Sequence, residues 1–247
     1  MQKITLSMTT CNRIEWFKQS FISFLENCYE RDIFQEIIIV DDNTECEQLN
    51  EMFIFLNKYS PITFTLCCKK FNDRWQYKSL NMILQKVSTN FILHLEDDYK
   101  FIKKLNKETI IKAMEFSDNT QRCASISLNC IDPGHFKFEV FKEQNFYEWE
   151  PSEKYICPVT NIKRPGFNLN PGIWNKQKFL KIGKFKLNYN KHIYDYNELH
   201  TETDFGVRMI SNDFKHFMLP DTYTEYMLPP GGMTSAFFLN QNVLYKT

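Results

Sequence analysis

Apolar positions along the first half of the chain alternate between two rhythms. Residues 3–8 read as a short strand that runs into the polar turn Thr9-Thr10-Cys11-Asn12-Arg13. Over 15–28, Trp16, Phe17, Phe21, Phe24, Leu25 and Cys28 fall at helical spacing. Residues 36–40 form a continuous apolar strand that stops at Asp41-Asp42-Asn43, and 47–58 is helical again through Leu49, Met52, Phe53 and Leu56. A third strand at 62–67 and a third helix at 76–87, carrying Leu80, Ile83, Leu84 and Val87, lead to a fourth strand at 91–95 that ends in Glu96-Asp97-Asp98. Strands that are apolar throughout, rather than in alternation, are covered on both faces, as in parallel sheets. The β-α-β-α-β-α-β order therefore predicts an α/β fold with a parallel sheet and right-handed crossovers.

Beyond about residue 125 the rhythm weakens. A strand is predicted at 124–129 and a strand-like pattern at 167–174. A short helix follows at 176–182, then a helix at 203–211 and a last strand at 215–219. Between them, 132–165 is aromatic-rich without clear period, and Pro229-Pro230-Gly231-Gly232 reads as a loop. No repeat and no linker divides the chain, so we expect a single domain over 1–247, with a regular half at 1–125 and an irregular half at 126–247.

Composition removes several functions. Of the 7 glycines the first is Gly134, so 1–133 holds neither G-x-G-x-x-G nor G-x-x-x-x-G-K-[ST]. A dinucleotide-binding Rossmann site or a phosphate-binding loop in that half is excluded. A net charge of zero argues against a nucleic-acid partner, and Lys69-Lys70 and Lys103-Lys104 read as short solvated surface pairs. The longest apolar runs are strand-sized, short of the roughly 18 residues of a membrane span. Residues 1–9 lack a signal-peptide pattern, so a cytoplasmic protein is expected, with its 8 cysteines, none in C-x-x-C spacing, as reduced thiols.

Polar clusters follow three of the predicted strands, where open α/β sheets bind ligands. Glu96, Asp97 and Asp98 repel one another unless a cation is present, and Mg²⁺ or Mn²⁺ suits such a group together with substrate phosphates; an acidic turn capping the next helix is the other reading. Asp41-Asp42 can accept the imide N–H of uracil or a ribose hydroxyl, or can cap a helix with Asn43 and Thr44. Asn12 and Arg13 can meet a base or phosphates, or can be ordinary turn residues. Glu202 and Asp204 open a predicted helix, where a carboxylate can serve as general base; acids also belong at helix starts, and Asp204 with Arg208 makes an i,i+4 pair.

Taken together, these segments resemble the GT-A fold nucleotide-sugar glycosyltransferases, particularly family 2. The matching stretches are 4–13 (ITLSMTTCNR), 37–44 (IIIVDDNT), 90–98 (NFILHLEDD), 171–174 (PGIW) with 179–185 (FLKIGKF), and 201–208 (TETDFGVR). They run in order across 4–219. The resemblance implies a metal-dependent, inverting transfer of a hexosyl or N-acetylhexosaminyl group from a UDP-sugar to a hydroxyl on a glycan or glycoconjugate, as in polysaccharide biosynthesis. A catalytically silent carbohydrate- or nucleotide-binding relative and a retaining transferase of the same fold are the alternatives. A sugar nucleotidyltransferase would carry a glycine-rich loop after the first strand, where this chain has Thr9-Thr10-Cys11-Asn12-Arg13.

By the same resemblance, Asp42 reads uracil, with Thr9, Asn12, Arg13 and Asp41 around the nucleotide and Lys78 and Arg74 as phosphate contacts. Asp98 binds Mn²⁺ or Mg²⁺ directly, and Asp97 acts nearby or through water. Glu202 stands in the base position, with Asp204 as second choice; the family more often has Asp there. A late histidine that completes some family metal sites has no counterpart after Leu219, which leaves His192, His200 and His216, the last read as structural. Tyr147, Trp149 and Trp174 are candidate sugar platforms on the acceptor side, and Gly231-Gly232 is a candidate lid.

Overall fold

Side chains 37–40 are all apolar, and the backbone sends them alternately to two cores. Ile37 and Ile39 enter one, Ile38 and Val40 the other, because successive side chains of a strand point to opposite faces. Phe91, Leu93 and Leu95 join the first core and Ile92 the second. A sheet with two dry faces has to be covered on both, and helices do so.

The structure, a computed structural model, describes residues 2–69, 75–129, 138–141, 146–149, 167, 169, 171–186 and 201–227. Four strands, β1 (Ile4–Thr10), β2 (Phe34–Asp41), β3 (Phe64–Cys68) and β4 (Phe91–Glu96), lie parallel in the order β3-β2-β1-β4. Helices α1 (Ile14–Asn27), α2 (Cys46–Tyr59) and α3 (Gln76–Lys86) link them. The first core packs α1, α2 and α4 (Lys107–Asn119) on one face; the second packs α3, α5 (Lys176–Ile182) and α6 (Thr201–Ser211) on the other. Among the described residues the sheet has nine strands, in the order β3-β2-β1-β4-β9-β6-β10-β8-β7, completed by β6 (Cys123–Ser127), β7 (Phe138–Phe141), β8 (Phe146–Trp149), β9 (Gly172–Asn175) and β10 (Lys215–Met218). A separate antiparallel pair joins β5 (Tyr99–Phe101) to β11 (Thr224–Tyr226). The fold is the α/β class predicted, a mainly parallel sheet flanked by helices, and among the described residues no helix is long and apolar enough to cross a membrane.

Two expectations change. Among the described residues the predicted strand at 167–174 appears as Gly172–Asn175 and runs antiparallel to both β4 and β6. An apolar run reveals burial and not direction, so the reversal was not visible in the sequence. The segment between the acidic triplet and β6, to which the pattern assigned no element, holds β5 and α4. Asn106 begins α4 by accepting from the Thr109 amide at 2.9 Å, a side-chain cap of the usual kind. At its other end Lys178 of α5 donates to the carbonyls of Ser117, Thr120 (2.8 Å) and Cys123 (3.0 Å), so one ammonium serves two carbonyls at the helix terminus and one at the start of β6.

Two histidines lie inside this sheet. His94 on β4 meets the Ser7 hydroxyl at 3.0 Å through Nδ1, and His216 on β10 meets Ser125 at 2.6 Å in the same way. Burial pushes both imidazoles down from the ordinary 6.5 to about 3. The folded state therefore keeps them neutral, while the unfolded chain takes up protons near 6.5. Their contribution is fully present above that value and lost as pH falls toward about 3, by about 1.4 kcal/mol per pH unit for each. Denaturant midpoints measured from about pH 7 down to about pH 4 are expected to fall steadily, and His216→Asn is expected to make the decline shallower. An unchanged slope in that variant would remove His216 from the account.

Candidate active site

The carboxyl ends of β1, β2 and β4 lie side by side, and each must turn sharply without glycine. Asn12 (φ 51°) and Asn43 (φ 69°) do so in the left-handed region, which asparagine enters more readily than other side-chain-bearing residues. The two turns are then tied together. The Asn12 amide donates to Thr44 Oγ1 at 2.7 Å, and Asn12 Oδ1 accepts from the Glu45 amide at 3.0 Å. Asp41 Oδ2 accepts from the Thr44 amide at 2.9 Å.

This separates the two acids that end β2. Asp41 is fully buried and fastens its own turn; burial raises its pKa, against the hydrogen bonds from Thr44. Asp42 is partly open and pairs with Lys69 Nζ at 2.7 Å. Lys69 is thus no solvated surface cation. Its ammonium is buried and also donates to the Trp75 carbonyl at 2.9 Å. The reading of Lys69-Lys70 as surface fails here because Lys69 follows the end of β3 directly, on the strand beside β2. Lys70 lies outside the described residues.

At the end of β4 the three acids are treated differently again. Arg13 spans two of them. Its Nε and Nη2 grip both oxygens of Asp97, the Nε contact at 3.2 Å, while Nη1 reaches Asp98 Oδ2 at 2.9 Å. Its guanidinium also lies 5.3 Å from the Trp16 ring centroid. Burial works against the Arg13 charge, but Asp97 and Asp98 outweigh it and raise its pKa. Burial pushes the Asp97 carboxyl up to about 7, with Arg13 pulling the other way and Asp98 adding to the rise. Cys11, between the two acidic pairs, donates its thiol to the Asp42 carbonyl at 3.0 Å, and burial pushes it up to about 12, so it is no nucleophile near neutral pH.

Asp98 keeps one oxygen apart. Its Oδ1 is buried without a hydrogen-bond partner, although the residue is only 7% exposed. An orphaned carboxylate oxygen at a strand end suits one ligand position of a hard divalent cation, which takes few protein carboxylates when phosphates and water supply the rest. Among the described residues no group of three or more His, Cys, Asp or Glu forms a metal cage, so a cation here would depend on that one oxygen and on its ligand. The backbone around Asp98 is held from an unexpected quarter: its carbonyl accepts from the Met227 amide at 2.7 Å, where the chain returns through β11. Tyr99 and Tyr226 pack edge to face beside it, ring centroids 5.6 Å apart.

Opposite lies the start of α6. Glu202 Oε1 accepts from the Leu169 amide at 2.6 Å, and its charge bears on Glu96 and Tyr99. Burial first, then Asp98 and Glu202, raise the Glu96 pKa; Tyr99 is raised by burial and the same acids. Asp204 is buried and committed to Arg208, whose Nε and Nη2 reach its Oδ2 at 2.9 and 2.5 Å. Arg208 also donates to the Ile182 carbonyl at 3.0 Å, at the end of α5 where Gly183 adopts φ 99°.

Solved structures share this architecture. A mannosyltransferase from Pyrobaculum calidifontis, in complex with GDP-Man and Mn²⁺, superposes with a TM-score of 0.63 over 93% of this chain at 13% identity. TarS 1-349 from S. aureus, in complex with UDP-GlcNAc, does so with a TM-score of 0.61 over 95% at 16% identity. The chain has the GT-A fold. It spans about three fifths of those structures, 58% and 61% of their lengths. No protein-family model and no curated protein matches the sequence.

Within the GT-A frame, the residues expected to serve the nucleotide sugar or the acceptor do not all come together. Asp42, Asp97, Asp98 and Arg13, with Thr9 and Asn12, converge at the ends of β1, β2 and β4; the Thr9 carbonyl accepts from the Asp97 amide at 3.2 Å. Lys78 sits half-buried in the first turn of α3, a helix start that reaches the acidic end of β4 through Gln76 Nε2 and Glu96 Oε1 at 3.0 Å. Trp174 is corrected: it is fully buried, stacked on His94 at 4.3 Å and on Phe179 at 4.9 Å, and no sugar can reach its face. Its aromatic signal belongs to the core. Tyr147 is half-buried on β8. The Trp149 side chain, Arg74, His192, His200 and Gly231-Gly232 lie outside the described residues. The sequence reading missed Lys69 and the return of β11 to Asp98. A lysine directly after an apolar strand was the available signal for the first; nothing in the sequence marked the second.

Proposed function

We propose that the chain is a glycosyltransferase that moves a sugar from a UDP-sugar onto a hydroxyl of a glycan or glycoconjugate, with inversion at the anomeric carbon. The observation that carries this reading is the convergence of Asp42, Arg13 and the orphaned Asp98 Oδ1 at neighbouring strand ends, with Glu202 across from them. Residues 1–125 would hold the nucleotide sugar and 126–247 the acceptor. The fold neighbours captured with GDP-Man and Mn²⁺ and with UDP-GlcNAc support a nucleotide-sugar donor.

Each residue then has work its geometry allows. Asp42, steadied by Lys69, accepts the imide N–H of uracil. Asp98 Oδ1 is the protein ligand for Mn²⁺ or Mg²⁺, which when bound neutralises charge on the departing diphosphate. Glu202, oriented by the Leu169 amide, takes the proton from the acceptor hydroxyl. That oxygen forms its bond to the anomeric carbon from the face opposite the diphosphate, and the old carbon–oxygen bond breaks with its electron pair leaving on UDP. Asp204 is the poorer base, since its carboxylate is already bound to Arg208. Positioning both partners in line contributes several kcal/mol in such sites.

A thermal-shift screen of nucleotides and nucleotide sugars, with and without Mn²⁺, tests the reading. UDP and UDP-sugars are expected to raise the melting temperature only when Mn²⁺ is present, and more than GDP or ADP forms do. No Mn²⁺-dependent stabilisation by any of them would overturn the metal-dependent transferase in favour of a silent relative.

A further inference from the structure

Arg13 has a role that nucleotide recognition does not explain. Three of its nitrogens are spent on the acids of β4, taking both oxygens of Asp97 and one of Asp98. Its side chain is only 13% exposed, and Asp97 not at all. The neighbouring Asn12 fixes the approach, because its left-handed turn is pinned from both sides by Thr44 and Glu45. The guanidinium is thus a permanent positive charge, preorganised at the spot where three adjacent carboxylates would otherwise attract a cation.

Of the Asp97–Asp98 pair, a metal arriving alone would meet Asp98 Oδ1 without a hydrogen-bond partner, and a positive charge beside it. Cations of the Mg²⁺ and Mn²⁺ kind need about six oxygen ligands and hold their waters tightly, so this is a poor site for the bare ion. A nucleoside diphosphate brings further oxygens and negative charge. We propose that Arg13 is a built-in counter-cation that keeps Asp97 and Asp98 from binding divalent metal by themselves, so that metal enters only together with the nucleotide diphosphate. This rests on the metal–nucleotide reading above, and Arg13 acts through the acids as a positioning residue.

The test is the binding of Mn²⁺ alone, followed by its electron paramagnetic resonance signal in the intact chain, with and without UDP. The unmodified protein is expected to leave Mn²⁺ free without UDP and to bind it with UDP. Arg13→Gln removes the charge and releases two carboxylates, so it is expected to bind Mn²⁺ without UDP about tenfold more tightly or better. Arg13→Lys, which restores the charge, is expected to return the nucleotide-free affinity toward that of the unmodified protein, a rescue that a merely structural role would not produce. Equal Mn²⁺ affinity in the unmodified protein with and without UDP would overturn the inference even if Arg13→Gln fails to fold. So would a folded Arg13→Gln with unchanged affinity. The two readings separate: if UDP never promotes Mn²⁺ binding, the metal–nucleotide reading falls and the inference with it, whereas if UDP promotes it and a folded Arg13→Gln gains no nucleotide-free affinity, only the inference falls.

Discussion

Asp98→Asn is expected to lower sugar transfer by roughly a thousandfold, because a metal contact of this kind is worth several kcal/mol and about 1.4 kcal/mol is a factor of ten. The substitution is close to isosteric. It keeps an oxygen that Arg13 Nη1 can still reach, and the backbone carbonyl that accepts from Met227 is untouched. What it removes is the charge on Asp98 Oδ1, which is buried without a hydrogen-bond partner. The stabilisation of the protein by UDP with Mn²⁺ is expected to vanish, while the melting temperature of the free protein changes little. Transfer that continues at its ordinary rate in excess EDTA would exclude the metal role of Asp98.

Glu202→Gln is expected to reduce turnover by about a thousandfold, in the middle of the range for loss of a general base, with the affinity for UDP nearly unchanged. The amide retains an Oε1 that can accept from Leu169, so the side chain keeps its orientation and loses only its ability to take a proton. Rates and UDP binding measured on the same preparation separate the two effects. An active Glu202→Gln would move the base elsewhere. Asp204 would then be the candidate, and its buried pair with Arg208 would have to open before it could act.

Much of the first half, residues 1–125, was legible in the chain itself. Apolar runs ending in acids located β2 and β4 and the strand ends that gather Asp42 and Asp98, because burial on both sheet faces writes itself into four or five consecutive residues. The order of strands and helices sufficed for a parallel sheet. The scarcity of glycine also takes on structural meaning: Asn12 and Asn43 carry the left-handed turns that a glycine loop would otherwise supply. The second half, residues 126–247, was less legible. Trp174 reads equally well as a sugar platform or as core, since an aromatic side chain is suited to both, and only its stacking against His94 and Phe179 decides. The direction of β9 was similarly invisible.

The sequence by itself determined the elements, the positions of the acids and the absence of a glycine-built phosphate site, since these follow from local spacing and residue type. Only the tertiary structure decided which partner each acid meets and how deeply it is buried. Asp41 and Asp42 are neighbours of the same type, as are Asp97 and Asp98, yet one of each pair is locked inside and the other faces the site. For Asp41 the lock is local, the Thr44 amide; Lys69 on Asp42, Arg13 on Asp97 and Asp98, and Met227 on the Asp98 carbonyl are groups distant in sequence whose contacts exist only once the sheet has brought the strand ends together.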